Sequence, residues 1–305
     1  MSTIDAIPAE ARARLMRRAT YASVSVATIL ILAKTVAWVM TDSVSVLSSL
    51  LDSLLDAAAS LVNLFAVRHA LEPADEEHRF GHGKAEALAG LAQAAFIAGS
   101  ALLLFSEALH RLWAPVPVER GEVGLAVTAL SIVLTLALVR YQRHVVERTG
   151  SLAVGADRLH YASDLLLNGG VALSLLASMA LGWSLVDPLC GLAIGAFILK
   201  GAWAIGRDAL DHLMDRELPE ATRAKIMAIA RAQPLIRDVH DLRTRATGPN
   251  ISVQMHLELD GALTLADAHV AADAVEEAVL AAFPGADVIV HMDPVGVLER
   301  RRDPA

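Results

Sequence analysis

Long apolar stretches recur along the first two thirds of the chain and end near residue 208. Six of them are long enough to cross, or nearly cross, a hydrocarbon layer about 30 Å thick as α helices. The pattern therefore predicts an α-helical membrane protein whose first domain, residues 1–208, contains six transmembrane helices. The apolar stretches lie at residues 19–40, 44–70, 88–112, 124–139, 165–181 and 185–205.

Residues 209–305 have the mixed pattern of a water-exposed domain. A helix is predicted over residues 219–233 because proline and glutamate open its first turn. Two alternating stretches separated by Gly248, Pro249 and Asn250 are typical of strands, and an amphipathic helix and a third strand follow them. This order of helix, strand, strand, helix and strand predicts a small α+β domain.

The alternation along the second and third strands of this domain separates core from surface. On the second strand, His256 lies on the polar face, opposite an apolar face that we expect to form the core. On the third strand, His291 and Asp293 share one face. The residues expected in the core from the second strand are Ile251, Val253, Met255, Leu257 and Leu259.

The composition narrows the classes of function. The chain is 55% hydrophobic, with a mean hydropathy of +0.48 and a formal net charge of −8. Residues 209–305 carry 16 acidic and 10 basic residues, so most of the negative charge lies in the tail domain, which argues against a nucleic-acid partner. Cys190 is the single cysteine. A disulfide within the chain and a thiolate metal site are therefore excluded, and a metal would be held by nitrogen and oxygen atoms.

Basic residues are concentrated in alternate connections between the predicted spans. Because cytoplasmic loops carry an excess of lysine and arginine, this bias predicts that both termini are cytoplasmic. No signal-peptide cleavage pattern follows the first span, so that span is expected to be retained. The side predicted to be cytoplasmic carries Arg12, Arg14, Arg17, Arg18, Arg68, Arg79, Lys84, Arg140, Arg143, Arg148 and Arg158, whereas the opposite side carries Arg111 and Arg120.

Two of the predicted spans carry titratable side chains four residues apart. Asp52 and Asp56 lie on the second span, and His160 and Asp164 lie on the fifth. Residues with this spacing share a helix face, and a carboxylate at membrane depth costs about 3 kcal/mol. A divalent cation held by three carboxylates and one imidazole would offset that cost. The alternative is a structural ion-pair network with the lysines of the apolar segments, Lys34 and Lys200.

A second candidate site follows the second span. Asp75, His78 and His82 lie in a turn-rich stretch that contains Pro73 and Gly81. Their D-x-x-H-x-x-x-H spacing is short enough for one loop to chelate a single ion. The alternative is a solvated loop at the membrane surface whose histidines have no role.

The stretches DSLLDAAAS, HYASDLLLNG and ADEEHRFGHGKAEALAGLAQ, together with the tail pattern, resemble the cation diffusion facilitator family, particularly its bacterial zinc and ferrous-iron efflux members. The resemblance covers nearly the whole chain. It implies a homodimeric, proton-coupled exporter of zinc, or of a similar divalent cation such as iron(II), cadmium or cobalt, in the bacterial inner (plasma) membrane. It also implies a ferredoxin-like, metallochaperone-like fold for the cytoplasmic tail, residues 209–305, which would bind metal and dimerise.

The resemblance assigns the candidate ligands to three sites. Zinc would be both transported and structural. The transport site would consist of Asp52, Asp56, His160 and Asp164. A second site on the cytoplasmic side would consist of Asp75, His78 and His82. A binuclear zinc site in the tail would consist of His240, His256, His269, His291 and Asp293, with Asp241 as a hydrogen-bonding partner of the ligands.

Two other functions remain open from the residues alone. A membrane-embedded metallohydrolase would use the same carboxylates to activate water. Four protein ligands leave it no open coordination position, and no separate nucleophile or general base is evident, so an enzyme is not expected. A passive divalent-metal channel would fail to move metal uphill when a pH gradient is imposed. No G-x-x-x-x-G-K-[ST] motif is present, so an ion gradient rather than a nucleotide is expected to drive transport.

Overall fold

A computed structural model describes residues 8–42, 44–113, 122–181, 186–248 and 250–296. Arg120 and Pro249, which entered the predictions above, lie outside these ranges. The chain divides into two compact units, Met1–Leu213 and Met214–Ala305. Each unit has its own clusters of buried apolar side chains.

Six long helices make up the described part of the first unit. They are α1 (Ala9–Thr41), α2 (Val44–Ala70), α3 (Lys84–Trp113), α4 (Glu122–Thr149), α5 (Leu152–Leu181) and α6 (Val186–Leu213). Helices α1 to α4 and α6 are long and apolar enough to cross a membrane by length and composition. In α5 the side chains of residues 171–181 lie outside the description. The predicted helical membrane domain is confirmed, and the number of six spans stays a prediction.

The outward surface of this unit is apolar. Leu32 is 62% exposed, Val39 is 73% exposed and Phe65 is 64% exposed. Large apolar side chains in contact with water would be a liability for solubility, whereas lipid tails are as apolar as they are. The exposed surface therefore fits a hydrocarbon environment.

Asp157 connects the helices on the inside of the unit. Its carboxylate on α5 is 1% exposed. It accepts hydrogen bonds from Ser23 of α1 at 2.5 Å and from Gln142 of α4 at 2.7 Å. Ser60 of α2 and Gln93 of α3 donate to its other oxygen at 3.5 Å. One buried carboxyl group therefore fixes the position of α5 relative to four other helices.

The second unit is an α/β domain with a three-stranded sheet. Its elements are α7 (Glu220–Arg231), β1 (Asp238–Thr247), β2 (Asn250–Leu259), α8 (Leu265–Ala282) and β3 (Asp287–Pro294). The strand order is β1-β2-β3, with β1 antiparallel to β2 and β2 parallel to β3. The helix between β2 and β3 is the crossover that a parallel pair needs. The predicted order of elements is confirmed.

The core of this unit lies under one face of the sheet. Val253, Met255 and Leu257 of β2 are at most 1% exposed, and they pack with Ile226 of α7 and Val275 of α8. The period-2 pattern of β2 therefore selected the correct core face. The opposite face of the sheet is left for polar side chains.

Replacing Asp157 by alanine should lower the thermal stability of the membrane unit. Ser23 would keep the Ala19 carbonyl oxygen as an acceptor, and Gln142 would keep its bond to Ser23. One buried N–H of the Gln142 amide would lose its acceptor, at a cost of about 1–3 kcal/mol. Asparagine retains one acceptor oxygen and should be less damaging. Thermal unfolding of the purified protein in detergent measures both variants. Wild-type stability in Asp157→Ala would contradict the role assigned to this carboxyl group.

Candidate metal centres

The first candidate centre lies between α2 and α5 and consists of Asp56, His160 and Asp164; it is called the membrane centre here. His160 Nε2 is 3.0 Å from Asp56 Oδ1 and 4.0 Å from Asp164 Oδ2. One ligand atom from each of the three residues lies within 4.8 Å of the other two. His160 and Asp164 share one face of α5 because they are four residues apart. The structure therefore brings three of the four predicted side chains together.

Asp52 is not a member of this group of ligand atoms in the described part of the chain. It lies one turn before Asp56 on α2 and is exposed. Lys34 donates to the Ser49 carbonyl oxygen at 3.0 Å and to the Ser53 hydroxyl oxygen at 2.6 Å. The ammonium group is thus hydrogen-bonded to neutral oxygens of α2, and the negative charges of Asp52, Asp56 and Asp164 also attract it.

His160 is held in place by neighbours on two sides. Its ring meets the ring of Phe96 edge-on, with the centroids 5.9 Å apart. The next residue, Tyr161, is anchored through a hydrogen bond of 2.9 Å between its hydroxyl group and that of Ser60. The His160 side chain is 8% exposed. A ligand whose ring is fixed in this way loses little conformational freedom when it binds a metal.

The separations in the membrane centre suit a tetrahedral divalent cation. With bonds of about 2.0–2.1 Å from the metal to nitrogen and oxygen, the ligand atoms of a tetrahedron are about 3.3 Å apart. The distances of 3.0 and 4.0 Å from His160 Nε2 bracket this value. A nitrogen and oxygen donor set accepts several first-row divalent metals, so these side chains suit a class of ion rather than one element.

The second candidate centre, the loop centre, consists of Asp75, His78 and His82 in the connection between α2 and α3. Asp75 Oδ1 is 3.3 Å from His78 Nδ1, and Asp75 Oδ2 is 3.3 Å from His82 Nε2. All three predicted residues are brought together. The His82 side chain is 5% exposed, whereas the other two are more than half exposed.

Backbone hydrogen bonds shape the loop centre before any ligand binds. The N–H groups of His78 and Glu77 donate to Asp75 Oδ1 at 2.6 and 3.0 Å. These bonds, that of His78 above all, hold the pKa of the Asp75 carboxyl group below its usual range. Gly81, at a φ of 76°, makes the turn that leads into His82. The loop therefore presents an ionised carboxylate in a fixed position.

The third candidate centre, the tail centre, consists of His240, His256 and Asp293 on the polar face of the sheet. The strand register aligns His240 with His256, and His256 with His291. Asp293 Oδ2 is 2.8 Å from His256 Nδ1 and 3.6 Å from His240 Nε2. Asp293 Oδ1 is 3.1 Å from His291 Nε2. One carboxylate thus connects three imidazoles, one from each strand.

Two other tail residues named by the resemblance have different surroundings. His269 lies on α8 with its side chain 68% exposed, and its Nε2 is 3.6 Å from Asp273 Oδ2. It is not in a ligand group in the ranges that the structure describes. Asp241 adopts a left-handed conformation with a φ of 45° where the register of β1 shifts, and its carboxylate lies 3.8 Å from His256 Nε2. The two groups are close enough for a charge interaction but too far apart for the predicted hydrogen bond.

Known proteins share this arrangement of domains. A family model of the cation efflux transmembrane domain matches residues 20–214, and a model of the cation efflux protein cytoplasmic domain matches residues 218–295. A cation-efflux pump FieF of Klebsiella pneumoniae is 51% identical over 93% of this chain and 95% of its own length. A cation-efflux pump FieF of Serratia proteamaculans is 49% identical over 95% of this chain and 96% of its own length. The chain belongs to the cation diffusion facilitator family.

Membership of the cation diffusion facilitator family makes the chain a membrane transporter of cations rather than an enzyme. The resemblance inferred from the motifs is confirmed, and the metallohydrolase alternative is removed. The tail matches the family's dimerisation domain. A solved structure of CzrB, described as a zinc transporter, is 34% identical over 26% of this chain and 99% of its own length, with a TM-score of 0.25.

Sequence reasoning missed two polar residues beside the loop centre. His69 and Glu72 form a further group of possible ligands with His82. His69 lies in the last turn of α2 and Glu72 follows that helix, so both precede the D-x-x-H-x-x-x-H motif. An i, i+3 pair of histidine and glutamate next to a histidine-rich loop is the signal that would have identified them.

Asp293→Ala should weaken zinc binding by the tail about tenfold or more, because it removes the carboxylate that joins three imidazoles. His269→Ala is the comparison and should have a smaller effect, because His269 would supply a single ligand whereas Asp293 contacts three imidazoles. The full-length protein is equilibrated at limiting zinc, and elemental analysis gives the zinc content per protomer of each variant. Equal zinc content in wild type and Asp293→Ala would contradict the assignment.

Proposed function

We propose that the protein is a homodimeric, proton-coupled antiporter that exports zinc, or iron(II), cadmium or cobalt, from the cytoplasm. The observation that supports this proposal most strongly is the position of His160 Nε2 between the carboxylates of Asp56 and Asp164 on two membrane helices. This arrangement provides nitrogen and oxygen ligands where hydrocarbon surrounds the protein. Such a donor set is suited to a cation in transit.

Competition between a proton and a metal at His160 supplies the coupling. With Asp56 ionised, the hydrogen bond of 3.0 Å requires a proton on His160 Nε2, because a carboxylate can only accept. The empty carrier would hold His160 as the imidazolium, with a proton on each ring nitrogen, beside the two negative carboxylates. A metal that takes the lone pair of Nε2 would then release one proton. Metal would leave outward as protons replace it, and protons would return inward with the empty carrier.

Asp52 is proposed as the fourth ligand of the transported ion. It lies one turn from Asp56 on α2, so a change of side-chain rotamer, or a small rotation of the helix, would turn its carboxylate towards the centre. A fourth oxygen would complete a tetrahedral set of one nitrogen and three oxygens. The exposed position of Asp52 keeps one ligand available to exchange with water during transport.

The proposed orientation has six spans in the bacterial inner membrane and both termini in the cytoplasm. It is supported by the arginines of the N-terminal arm and of the connections that follow α2 and α4. The transport domain would be residues 1–208. The cytoplasmic, ferredoxin-like tail, residues 209–305, would bind structural zinc and hold two protomers together.

The loop centre and the tail centre would have supporting roles. The residues proposed for them are Asp75, His78 and His82 in the loop, and His240, His256, His269, His291 and Asp293 in the tail. The tail set fits a metal because Asp293 is buried and contacts three imidazoles, an arrangement in which a cation would replace the shared protons. A metal bound there would supply cross-links between strands.

Asp56→Ala and Asp164→Ala should each abolish zinc transport while leaving a folded, membrane-inserted protein. Each removes a negatively charged ligand, and a water molecule in its place would not supply that charge. Asp208→Ala is the control, because Asp208 is an exposed aspartate of α6 outside the three centres. Zinc uptake into proteoliposomes measures the effect, and gel filtration checks the fold. Unchanged flux in either variant would remove the membrane centre from the transport path.

His160→Asp should still transport zinc but with a displaced pH profile, because a carboxylate replaces the imidazole as the group that exchanges metal for protons. Zinc flux and zinc-driven proton movement are measured in liposomes from about pH 5 to 8. Wild-type flux should fall as the metal-loading side is acidified. Identical profiles for the two proteins would leave His160 as a ligand without a role in coupling. Failure to drive zinc uphill with a pH gradient would indicate a passive channel.

A further inference from the structure

His69 and Glu72, at the end of α2, face the buried ring of His82. His69 Nδ1 is 2.8 Å from Glu72 Oε2, and the rings of His69 and His82 are 4.4 Å apart between centroids. One ligand atom from each of the three residues lies within 4.8 Å of the other two. None of the centres described above uses His69 or Glu72.

The backbone holds these three side chains in a fixed frame. The N–H group of Glu72 donates to the His69 carbonyl oxygen at 3.0 Å, so both side chains leave the same closing turn of α2. The N–H group of Ala85 donates to the His82 carbonyl oxygen at 2.9 Å, which fixes His82 at the entrance to α3. The triad thus joins the end of one helix to the beginning of the next, without depending on a long mobile loop.

The simpler explanation for the contact between His69 and Glu72 is an exposed ion pair that binds no metal. It accounts for His69 and Glu72, which are each more than half exposed, but not for His82. The His82 side chain is 5% exposed, and its Nδ1 atom is buried without a hydrogen-bond partner. A buried polar atom left in this state costs about 1–3 kcal/mol. A cation beside the ring would give that nitrogen a partner.

We infer that His69, Glu72 and His82 form a second position for a divalent cation, adjoining the loop centre and sharing His82 with it. Two nitrogens and a carboxylate oxygen suit zinc or another first-row divalent metal. Binding at this position does not depend on the proposed antiport, because it requires neither a proton gradient nor the membrane centre.

The shared histidine limits the number of cations that the two triads can bind at once. A neutral imidazole has a single lone pair, because its other nitrogen carries the proton. His82 can therefore bind one cation at a time, and the two triads are alternative positions for the same ion. Losing one arm, either Asp75 and His78 or His69 and Glu72, leaves the other arm to hold it.

The test counts cobalt(II) ions bound to the full-length protein in detergent, by equilibrium dialysis with visible spectroscopy as a reporter of coordination. Three variants carry the argument: Asp75→Asn with His78→Gln, the same pair combined with His69→Gln and Glu72→Gln, and His82→Gln alone. The first should retain the wild-type number of cobalt ions. The second and third should each lose about one ion per protomer.

The matched control combines Asp75→Asn and His78→Gln with Glu76→Gln and Glu77→Gln, two exposed carboxylates of the same loop that are outside both triads. It should bind as many ions as the first variant. Gel filtration and circular dichroism identify any variant that fails to fold. If Asp75→Asn with His78→Gln already loses the ion, the second position does not exist. Because no flux is measured, this result is independent of the test of antiport.

Discussion

A carboxylate inside a membrane protein needs a partner, and the membrane unit satisfies this requirement in two different ways. Asp157 is surrounded by hydroxyl and amide donors from four helices, so it is satisfied by the fold itself. Asp56 and Asp164 instead share one imidazole. The first carboxyl group stabilises the helix arrangement. The other two hold an imidazole whose proton a metal ion would replace in the proposed antiport.

The two groups are linked along one helix. Asp157 precedes His160 by three residues on α5. The hydrogen bonds that position Asp157 therefore also fix the axial position and the rotation of α5 at His160. Ser60, on α2, contacts both Asp157 and Tyr161. Ser60 lies one turn after Asp56 on α2. Its contacts with α5 therefore also restrict the position of α2 at Asp56. The geometry of the centre therefore follows from buried polar contacts that bind no metal.

Sequence patterns identified the elements because their signals are local. Apolar length predicted the membrane helices, and the alternation in β2 predicted its core face. The sequence patterns could not predict which ligand atoms lie within reach of one metal ion. Asp52 and Asp56 share a helix face, yet Asp52 lies outside the group, because spacing does not determine a rotamer. Asp293 was expected on the polar face of β3, and it is buried because three imidazoles surround it.

Proton release on zinc binding tests the central claim most directly, because it reports the exchange at the membrane centre without transport. The heat of zinc binding is measured by titration calorimetry of the purified protein in buffers of different ionisation enthalpy. The dependence of this heat on the buffer gives the number of protons released. The account predicts that the wild type releases about one more proton per protomer than His160→Ala, since a metal bound to Nε2 leaves the proposed imidazolium of His160 with one proton instead of two. Equal proton release by the two proteins, with zinc still bound at the membrane centre, would contradict it.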